Sequence, residues 1–172
     1  YDVAVIGCGI VGAAAAYELS RYNCRVLVLE AKNDVANVTT KANSAILHAG
    51  YDPTPGTLMA ETNVRGVALA KELCEKLDVE REEIGSLVLA FGEEDERHLE
   101  KLYQQGLANG VPGIELLTAD EVHALEPNVS DKVTAALYAP TAAIVSPWEY
   151  ALALAETAVV NGCELRLSAP VT

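Results

Sequence analysis

Residues 1–12 have the sequence YDVAVIGCGIVG, and this stretch decides the fold of the chain. An apolar run of strand length, residues 3–6, is followed by Gly7, Gly9 and Gly12 at the spacing GxGxxG. In this motif the glycines allow a tight turn, a close approach of the backbone to a pyrophosphate, and close packing of a helix on a sheet. The stretch therefore predicts a strand, a glycine turn and a helix start that together bind a dinucleotide.

A helix and a second strand follow the glycine turn. Residues 11–21 include four consecutive alanines and predict a helix that lies close on the sheet, and residues 26–29 predict the next strand. No lysine or arginine lies between Gly7 and Ser20, so backbone N–H groups and the helix dipole are expected to bind the phosphates. Glu30, directly after the strand, suits ribose hydroxyls and repels a 2′-phosphate. These features predict FAD or NAD rather than NADP, and the motif alone does not choose between FAD and NAD.

Composition and charge exclude several classes of protein. The chain has 172 residues, of which 51% are hydrophobic, so it can bury a sizeable core in one or two domains. Twelve Lys and Arg against 25 Asp and Glu give a net charge of -13, which disfavours binding to nucleic acid or to an anionic membrane surface. The apolar runs are of strand length and no signal peptide is recognisable, so we expect no integral membrane segment and a cytoplasmic location.

The four cysteines do not form a metal site. Cys8, Cys24, Cys74 and Cys163 lie far apart, without a CxxC pair or histidines at metal-ligand spacing. We therefore expect buried small hydrophobic side chains and no metal ion. Cys8 lies inside the glycine turn, close to the expected cofactor, although valine or alanine would pack there equally well.

The middle of the chain contains a second stretch of interest. Residues 31–42 are polar and lack periodicity, which predicts a loop. This loop leads to residues 43–50, NSAILHAG, whose polar and small side chains suit contact with a flat ligand. The residues themselves leave open a second interpretation, an ordinary connection from loop to strand with a surface histidine.

The rest of the chain predicts alternating helices and strands. The acidic run Glu93 to Glu96 is interpreted as the start of a helix, where it favours the helix dipole, rather than as a metal site. Capping boxes are predicted at Thr118 and Ser146. The predicted helices cover residues 57–77, 93–109, 118–126 and 146–160, and the predicted strands cover residues 84–91, 115–117, 133–139, 142–145 and 164–167. This order predicts an α/β fold in which residues 1–77 and 146–172 form a doubly wound βαβ domain and residues 78–145 an inserted α+β cap.

The motifs together resemble a known family. The glycine turn with Glu30, then Thr39-Thr40, NSAILHAG at residues 43–50, Tyr51 and Pro55-Gly56, is similar to the D-amino-acid oxidase superfamily of FAD enzymes. Within it the chain most resembles bacterial FAD-dependent glycerol-3-phosphate dehydrogenases, and it is also similar to L-2-hydroxyglutarate oxidases. The sequence departs from the family pattern at Ala45, where glycine is usual.

The resemblance implies FAD as the cofactor of a Rossmann-like domain and assigns roles to particular residues. His48 is implied to lie near the isoalloxazine ring, where it is the candidate catalytic base, and Val171, on a strand after residue 167, is implied to pass the adenine. The full set of cofactor-binding residues is Gly7, Gly9, Ile10, Val11, Gly12, Glu30, Ala31, Thr40, Asn43, Ser44, Ile46 and Val171.

The resemblance also implies an activity. The expected reaction is the oxidation of a CH–OH group by hydride transfer to the flavin, most like glycerol 3-phosphate giving dihydroxyacetone phosphate. The substrate is then a small anionic hydroxy compound, and an electron acceptor of unknown identity reoxidises the flavin. An L-2-hydroxyglutarate-type oxidase and a non-catalytic nucleotide-binding module are the alternatives. Because the chain starts without methionine and stops after a predicted strand, we expect a fragment whose substrate-binding residues lie largely beyond Thr172.

Overall fold

The computed structural model describes residues 1–172. It contains nine strands and five helices, which are, in chain order, β1 (Val3–Ile6), α1 (Ile10–Leu19), β2 (Val26–Leu29), β3 (Ile46–Leu47), α2 (Leu58–Leu77), β4 (Arg81–Glu82), β5 (Ser86–Ala90), α3 (Glu93–Asn109), β6 (Glu115–Thr118), α4 (Ala119–Leu125), β7 (Ala135–Ala139), β8 (Ala143–Val145), α5 (Pro147–Val160) and β9 (Glu164–Arg166). None of the helices combines the length and the apolar composition that crossing a membrane requires.

The chain divides into two compact units. Unit 1 comprises residues 1–45, 73–80 and 145–172, and unit 2 comprises residues 46–72 and 81–144. The division expected from the sequence assigned residues 46–72 to the first domain. They belong to unit 2 because Ala49 and Val64 pack with Leu99, Leu102 and Leu137 in its core. The sequence does not reveal this boundary, since α2 continues through it without a break.

Unit 1 is built on a parallel sheet with the strand order β1-β2-β9. Val3 pairs with Val26, and Leu27 pairs with Glu164. On this sheet α1 and α5 pack against each other, and the buried alanines of both helices permit a close approach. The apolar runs of β1 and β2 form the predicted strands because a parallel strand is covered by other elements on its faces. This arrangement confirms the Rossmann-like βαβ prediction.

Unit 2 contains an antiparallel sheet with the order β5-β7-β6. Leu99 and Leu102 of α3 belong to one core cluster with Leu137, and Val122 of α4 belongs to another with Ala136. A second small sheet has the order β3-β8-β4. Strand β4 was not predicted, because two charged residues show no alternation of apolar and polar side chains. The unit has the α+β composition that was expected of a cap.

Local signals at the helix ends predicted several boundaries correctly. Helix α3 ends where expected, at Asn109, and the next residue, Gly110, has a left-handed φ of 76°. The capping box at the start of α4 is present, since Thr118 Oγ1 accepts the Glu121 N–H and the Glu121 side chain accepts the Thr118 N–H. At the start of α5 the Ser146 hydroxyl accepts the N–H of Glu149 at 3.3 Å, but the return bond from the Ser146 N–H to the Glu149 side chain is not formed. The capping box predicted there is therefore only half present.

The strand expected to contain Val171 is a wrong prediction. The last secondary-structure element is β9, and Val171 lies in an irregular segment after it. Ser168 has a left-handed φ of 53°, and its N–H donates to the Lys32 carbonyl at 2.7 Å. Pro170 has no N–H to donate. The regular ladder therefore ends at β9, although the N–H of Ala169 still donates to the Glu30 carbonyl at 2.9 Å.

Candidate functional site

The glycine turn between β1 and α1 has the backbone geometry that its motif predicts. Gly7 has a φ of 91°, a left-handed value that favours glycine, and its N–H donates to the Leu29 carbonyl at 2.8 Å. A Cβ on Gly12 would overlap the carbonyl oxygen of Gly7, and a Cβ on Gly9 would lie 3.0 Å from Thr40 Oγ1. The turn and the first turn of α1 are therefore in direct contact, and larger residues at these positions would separate them.

The start of α1 is left without a side-chain cap of its own. Its N-cap residue is Gly9, and its first turn contains no acidic residue. Ile10 N–H donates to Thr40 Oγ1 at 3.0 Å, whereas the N–H groups of Val11 and Gly12 have no acceptor within the chain. The first N–H groups of a helix carry the positive end of its dipole and bind anions readily. The helix start therefore has free donors that suit an anion such as a phosphate group.

A cleft of about 510 Å³ lies over this helix start. Its walls are the glycine turn, the first residues of α1, and Thr39 and Thr40 from the following loop. Ile6 and Val11 leave 69% and 81% of their surface exposed, although both are apolar. Unpaired N–H groups beside exposed apolar surface suit a ligand that combines phosphate with apolar parts. The sequence motif did not identify Thr39 as a residue of this cleft.

Glu30 is bound to the glycine turn and to its own loop. It is only 8% exposed. Its Oε2 accepts the N–H of Cys8 at 2.7 Å, and its Oε1 accepts the N–H of Lys32 at 2.8 Å. An ionised carboxylate has about four acceptor positions, so each oxygen keeps capacity for a further donor such as a ribose hydroxyl. Glu30 thus fixes the shape of the turn and can still accept hydrogen bonds from a ligand.

Cys8 is inert in this environment. It is 1% exposed, as expected for a buried small hydrophobic side chain. Burial, together with the negative charge of Glu30, raises the pKa of the Cys8 thiol to about 11. The thiol is therefore protonated at neutral pH, and the nucleophilic thiolate is not formed.

The loop after β2 positions Thr40 and Asn43. Thr40 is 8% exposed and is joined to α1 by the hydrogen bond from Ile10. Asn43 Nδ2 donates to the Thr40 carbonyl at 2.8 Å, and Asn43 Oδ1 accepts the N–H of Ala45 at 2.7 Å. Ala45 has a left-handed φ of 63°, which explains why glycine is favoured at this position. Ser44 is exposed, and its hydroxyl makes no hydrogen bond within the chain.

The predicted site residues fall in both units. In unit 1 the structure brings together the glycine turn, the start of α1, Glu30 and Thr40, and Asn43 is bonded to Thr40. Ala31, Ser44 and Val171 are exposed members of unit 1 and are not among the residues that line the cleft.

Two further predicted residues belong to unit 2. Ile46 lies in β3 and is 42% exposed. His48 follows this strand with an exposed side chain, and its carbonyl accepts a hydrogen bond from Asn63 Nδ2. The roles assigned to these two residues by resemblance stay predictions.

The parallel sheet, the glycine turn and the uncapped helix start define a dinucleotide-binding protein of the βαβ class. A family model described as "FAD dependent oxidoreductase" (DAO) matches residues 2–172, and the chain belongs to this family. The resemblance inferred from the motifs is thereby confirmed, and FAD is the cofactor of the family. The uncapped N–H groups and the remaining acceptor positions of Glu30 fit the pyrophosphate and a ribose of this cofactor.

Individual relatives agree with the family. The chain is 51% identical over 168 residues to a glycerol 3-phosphate dehydrogenase from Caloramator mitchellensis. The matched region covers 98% of the chain and 35% of that relative. It is 34% identical to a mitochondrial L-2-hydroxyglutarate dehydrogenase from Dictyostelium discoideum, over 84% of the chain and 33% of the relative. The solved structure of L-alpha-glycerophosphate oxidase from Mycoplasma pneumoniae with FAD bound superimposes with a TM-score of 0.92 at 33% identity, covering 99% of the chain and 45% of that structure. The chain thus spans between a third and a half of the length of these relatives.

Proposed function

We propose that the whole protein is an FAD-dependent dehydrogenase that oxidises glycerol 3-phosphate to dihydroxyacetone phosphate. The observation that carries this proposal is the 51% identity, over nearly all of the chain, to a glycerol 3-phosphate dehydrogenase. The similarity to the glycerophosphate oxidase structure supports the same substrate. When bound, FAD supplies the acceptor for the hydride that leaves the carbon of the CH–OH group.

The residues of unit 1 are proposed to hold the ADP half of the cofactor. The free N–H groups of Val11 and Gly12 suit the pyrophosphate, and the carboxylate of Glu30 suits the ribose hydroxyls. Thr40 acts on the same site by holding the first N–H of α1. The further cofactor contacts proposed from the family pattern involve Ala31, Asn43, Ser44, Ile46 and the backbone of Val171. On this basis unit 1 is the FAD-binding part, and unit 2 contributes to the substrate side.

His48 is proposed to accept the hydroxyl proton of the substrate. Loss of a hydride from carbon leaves a carbonyl only if the proton on the oxygen leaves as well, so the reaction needs a base. A neutral imidazole nitrogen can accept this proton. His48 follows β3 directly, and its backbone carbonyl is held by Asn63, so the base stands on a fixed segment of unit 2.

Anaerobic reduction of the flavin in the whole protein tests this proposal. Glycerol 3-phosphate is expected to bleach the flavin absorbance, and L-2-hydroxyglutarate is expected to leave it unchanged. Reduction by L-2-hydroxyglutarate alone would favour the second candidate function, for which the relative from Dictyostelium discoideum is the supporting observation. If neither compound bleaches the flavin, both assignments are wrong.

The role of His48 is tested in the same assay. We expect His48→Asn to slow the reduction by glycerol 3-phosphate by about 10²–10⁴-fold, the usual contribution of a general base, with FAD content unchanged. His123→Asn in α4 serves as the matched control and is expected to reduce the flavin at the rate of the unmodified protein. A rate for His48→Asn within about twofold of this control would remove His48 from the mechanism.

A further inference from the structure

Unit 2 contains a second cavity that the cofactor and its chemistry do not explain. Its volume is about 220 Å³, far more than the about 30 Å³ that one water molecule occupies in the liquid. Val64, Val67 and Ala68 of α2 line it, together with Ala49 and Pro112 from other segments. The cavity is therefore large enough for a small organic molecule, and most of its lining residues are apolar.

Two cations share a single carboxylate at this cavity. Arg81 Nη2 lies 2.6 Å from Glu83 Oε2, and Lys71 Nζ lies 3.6 Å from the same oxygen. All three residues line the cavity. Two positive charges against one negative charge leave a net charge of +1, in a chain whose total is -13. The local charge thus favours an anion, opposite to the sign of the chain as a whole.

The arginine of this group is not free in solvent. The side chain of Arg81 is only 11% exposed, against 56% for Lys71. Its hydrogen bond to Glu83 uses Nη2, and no other acceptor in the chain bonds to the guanidinium. A guanidinium carries five N–H donors in a planar fork that matches a carboxylate. Arg81 therefore keeps donors available for a ligand in a partly desolvated place, where such hydrogen bonds are strong.

Thr141, a further residue of the lining, contributes a buried hydroxyl without a partner. Buried polar atoms are nearly always hydrogen-bonded in native proteins. Rotation about the Cα–Cβ bond exchanges the hydroxyl and the methyl group of a threonine, so a ligand in the cavity can recruit this group. The unpartnered hydroxyl can thus supply one further hydrogen bond to an anion in the cavity after this rotation.

We propose that this cavity binds a short-chain carboxylate, with the carboxylate group on Arg81 and Lys71 and the hydrocarbon chain against the apolar face of α2. A single negative charge matches the net charge of the site. The apolar walls favour an anion that carries a hydrocarbon chain over inorganic phosphate. Phosphate is strongly hydrated, and burying it against an apolar surface is costly. The site lies entirely within unit 2, so the proposal does not rest on the identity of the oxidised substrate.

Binding is measured by titrating the whole protein with butyrate and following saturation-transfer difference NMR, with n-butanol and inorganic phosphate as comparison probes. We expect both comparison probes to bind at least about tenfold more weakly than butyrate, because one lacks the charge and the other the hydrocarbon chain. Equal binding of n-butanol would contradict the role of the two cations. Tighter binding of phosphate would contradict the role of the apolar wall.

Charge variants give effects of opposite sign. Arg81→Gln is expected to weaken butyrate binding by about tenfold, because a charge-assisted hydrogen bond is lost. Glu83→Gln is expected to tighten it severalfold, because the competing carboxylate disappears and the site gains positive charge. Lys101→Gln on the exposed surface of α3, with the same change of charge as Arg81→Gln, is expected to leave binding unchanged.

The increase in affinity for Glu83→Gln is the decisive result, since partial unfolding of a variant cannot produce it. Weaker butyrate binding in both the Arg81 and the Glu83 variant would overturn the proposal. The FAD content of every sample is measured alongside, so that loss of the cofactor is recognised separately from loss of the carboxylate. Failure of glycerol 3-phosphate to reduce the flavin would affect the proposed function and not this site.

Discussion

The carboxylate of Glu30 holds the glycine turn and is proposed to accept hydrogen bonds from the ribose of FAD. The replacement Glu30→Gln tests both roles, since it removes the charge and keeps the shape of the side chain. In the folded protein each carboxylate oxygen accepts one backbone N–H, from Cys8 at 2.7 Å and from Lys32 at 2.8 Å. The carboxamide of glutamine has only one acceptor oxygen, so one of the two N–H groups must face an NH₂ group and lose its partner. Hydrogen bonds to charged groups contribute about 1.5–3 kcal/mol, and an unsatisfied buried donor costs about 1–3 kcal/mol.

We therefore expect Glu30→Gln to lower the free energy of unfolding by about 2–3 kcal/mol in the protein without FAD. FAD affinity is expected to fall by a further factor of about 10–100, because the ribose hydroxyls lose a charged acceptor and 1.4 kcal/mol corresponds to a factor of ten. Urea unfolding measures the first quantity, and quenching of flavin fluorescence on titration measures the second.

The matched control for this experiment is Glu18→Gln. Glu18 makes an exposed ion pair with Arg21 at 3.0 Å, and exposed pairs contribute about 0–1 kcal/mol. We expect this variant to retain both stability and FAD affinity. If Glu30→Gln behaves like Glu18→Gln in both assays, the reasoning about the glycine turn is wrong.

Three further tests concern the backbone at Gly12 and Ala45 and the thiol of Cys8. Gly12→Ala should destabilise the protein by about 1–3 kcal/mol in urea unfolding, because the new Cβ overlaps the backbone carbonyl of Gly7. The control Gly66→Ala places its Cβ in open space on α2 and should stabilise the protein by up to about 1 kcal/mol. Ala45→Gly should be neutral or stabilise the protein by up to about 1 kcal/mol, because Ala45 has a left-handed φ of 63°. The control Ala68→Gly, within α2, should destabilise the protein by about 0.5–1 kcal/mol. Equal effects of the two replacements would contradict this explanation. Burial and the charge of Glu30 raise the pKa of Cys8 from 9.0 to about 11, so the folded state favours the protonated thiol. The protein therefore loses about 2 kcal/mol of stability as the pH rises from 9.0 to about 11. This alkaline loss should be smaller in Cys8→Ala, and an identical pH dependence of unfolding in both proteins would contradict it.

The parts of the fold that the sequence predicted are those set by neighbouring residues. The glycine turn, the end of α3 at Gly110 and the capping box at Thr118 each depend on residues within a few positions of one another. Their side chains or backbone angles satisfy local hydrogen bonds, so a short pattern is sufficient to identify them. The same holds for the apolar runs that became β1 and β2.

The parts that the sequence did not predict depend on distant residues. The hydrogen bond from Cys8 N–H to Glu30 spans 22 positions, and the one from Ile10 N–H to Thr40 spans 30 positions. No periodicity in the chain encodes which side chain reaches a particular N–H across such a distance. For the same reason the spacing predicted a ribose contact for Glu30 but gave no sign of its hydrogen bond to the glycine turn.

The conformation at Val171 and the boundary between the units also could not be predicted from the sequence. The left-handed conformation of Ser168, a non-glycine residue, ends the extended chain before Val171, and hydrophobicity does not record such a turn. Helix α2 belongs to both units, so the unit boundary falls inside one regular element. At Ala45 the family pattern identified the unusual residue, and only the structure shows that its φ is the reason.

A crystal structure of the whole protein with FAD would show directly whether the start of α1 and Glu30 bind the ADP half of the cofactor. We expect pyrophosphate oxygens to accept hydrogen bonds from the free N–H groups of Val11 and Gly12, and ribose hydroxyls to donate to Glu30, all within about 3.2 Å. A pyrophosphate held by side chains away from the start of α1, or a ribose outside hydrogen-bonding distance of Glu30, would contradict it.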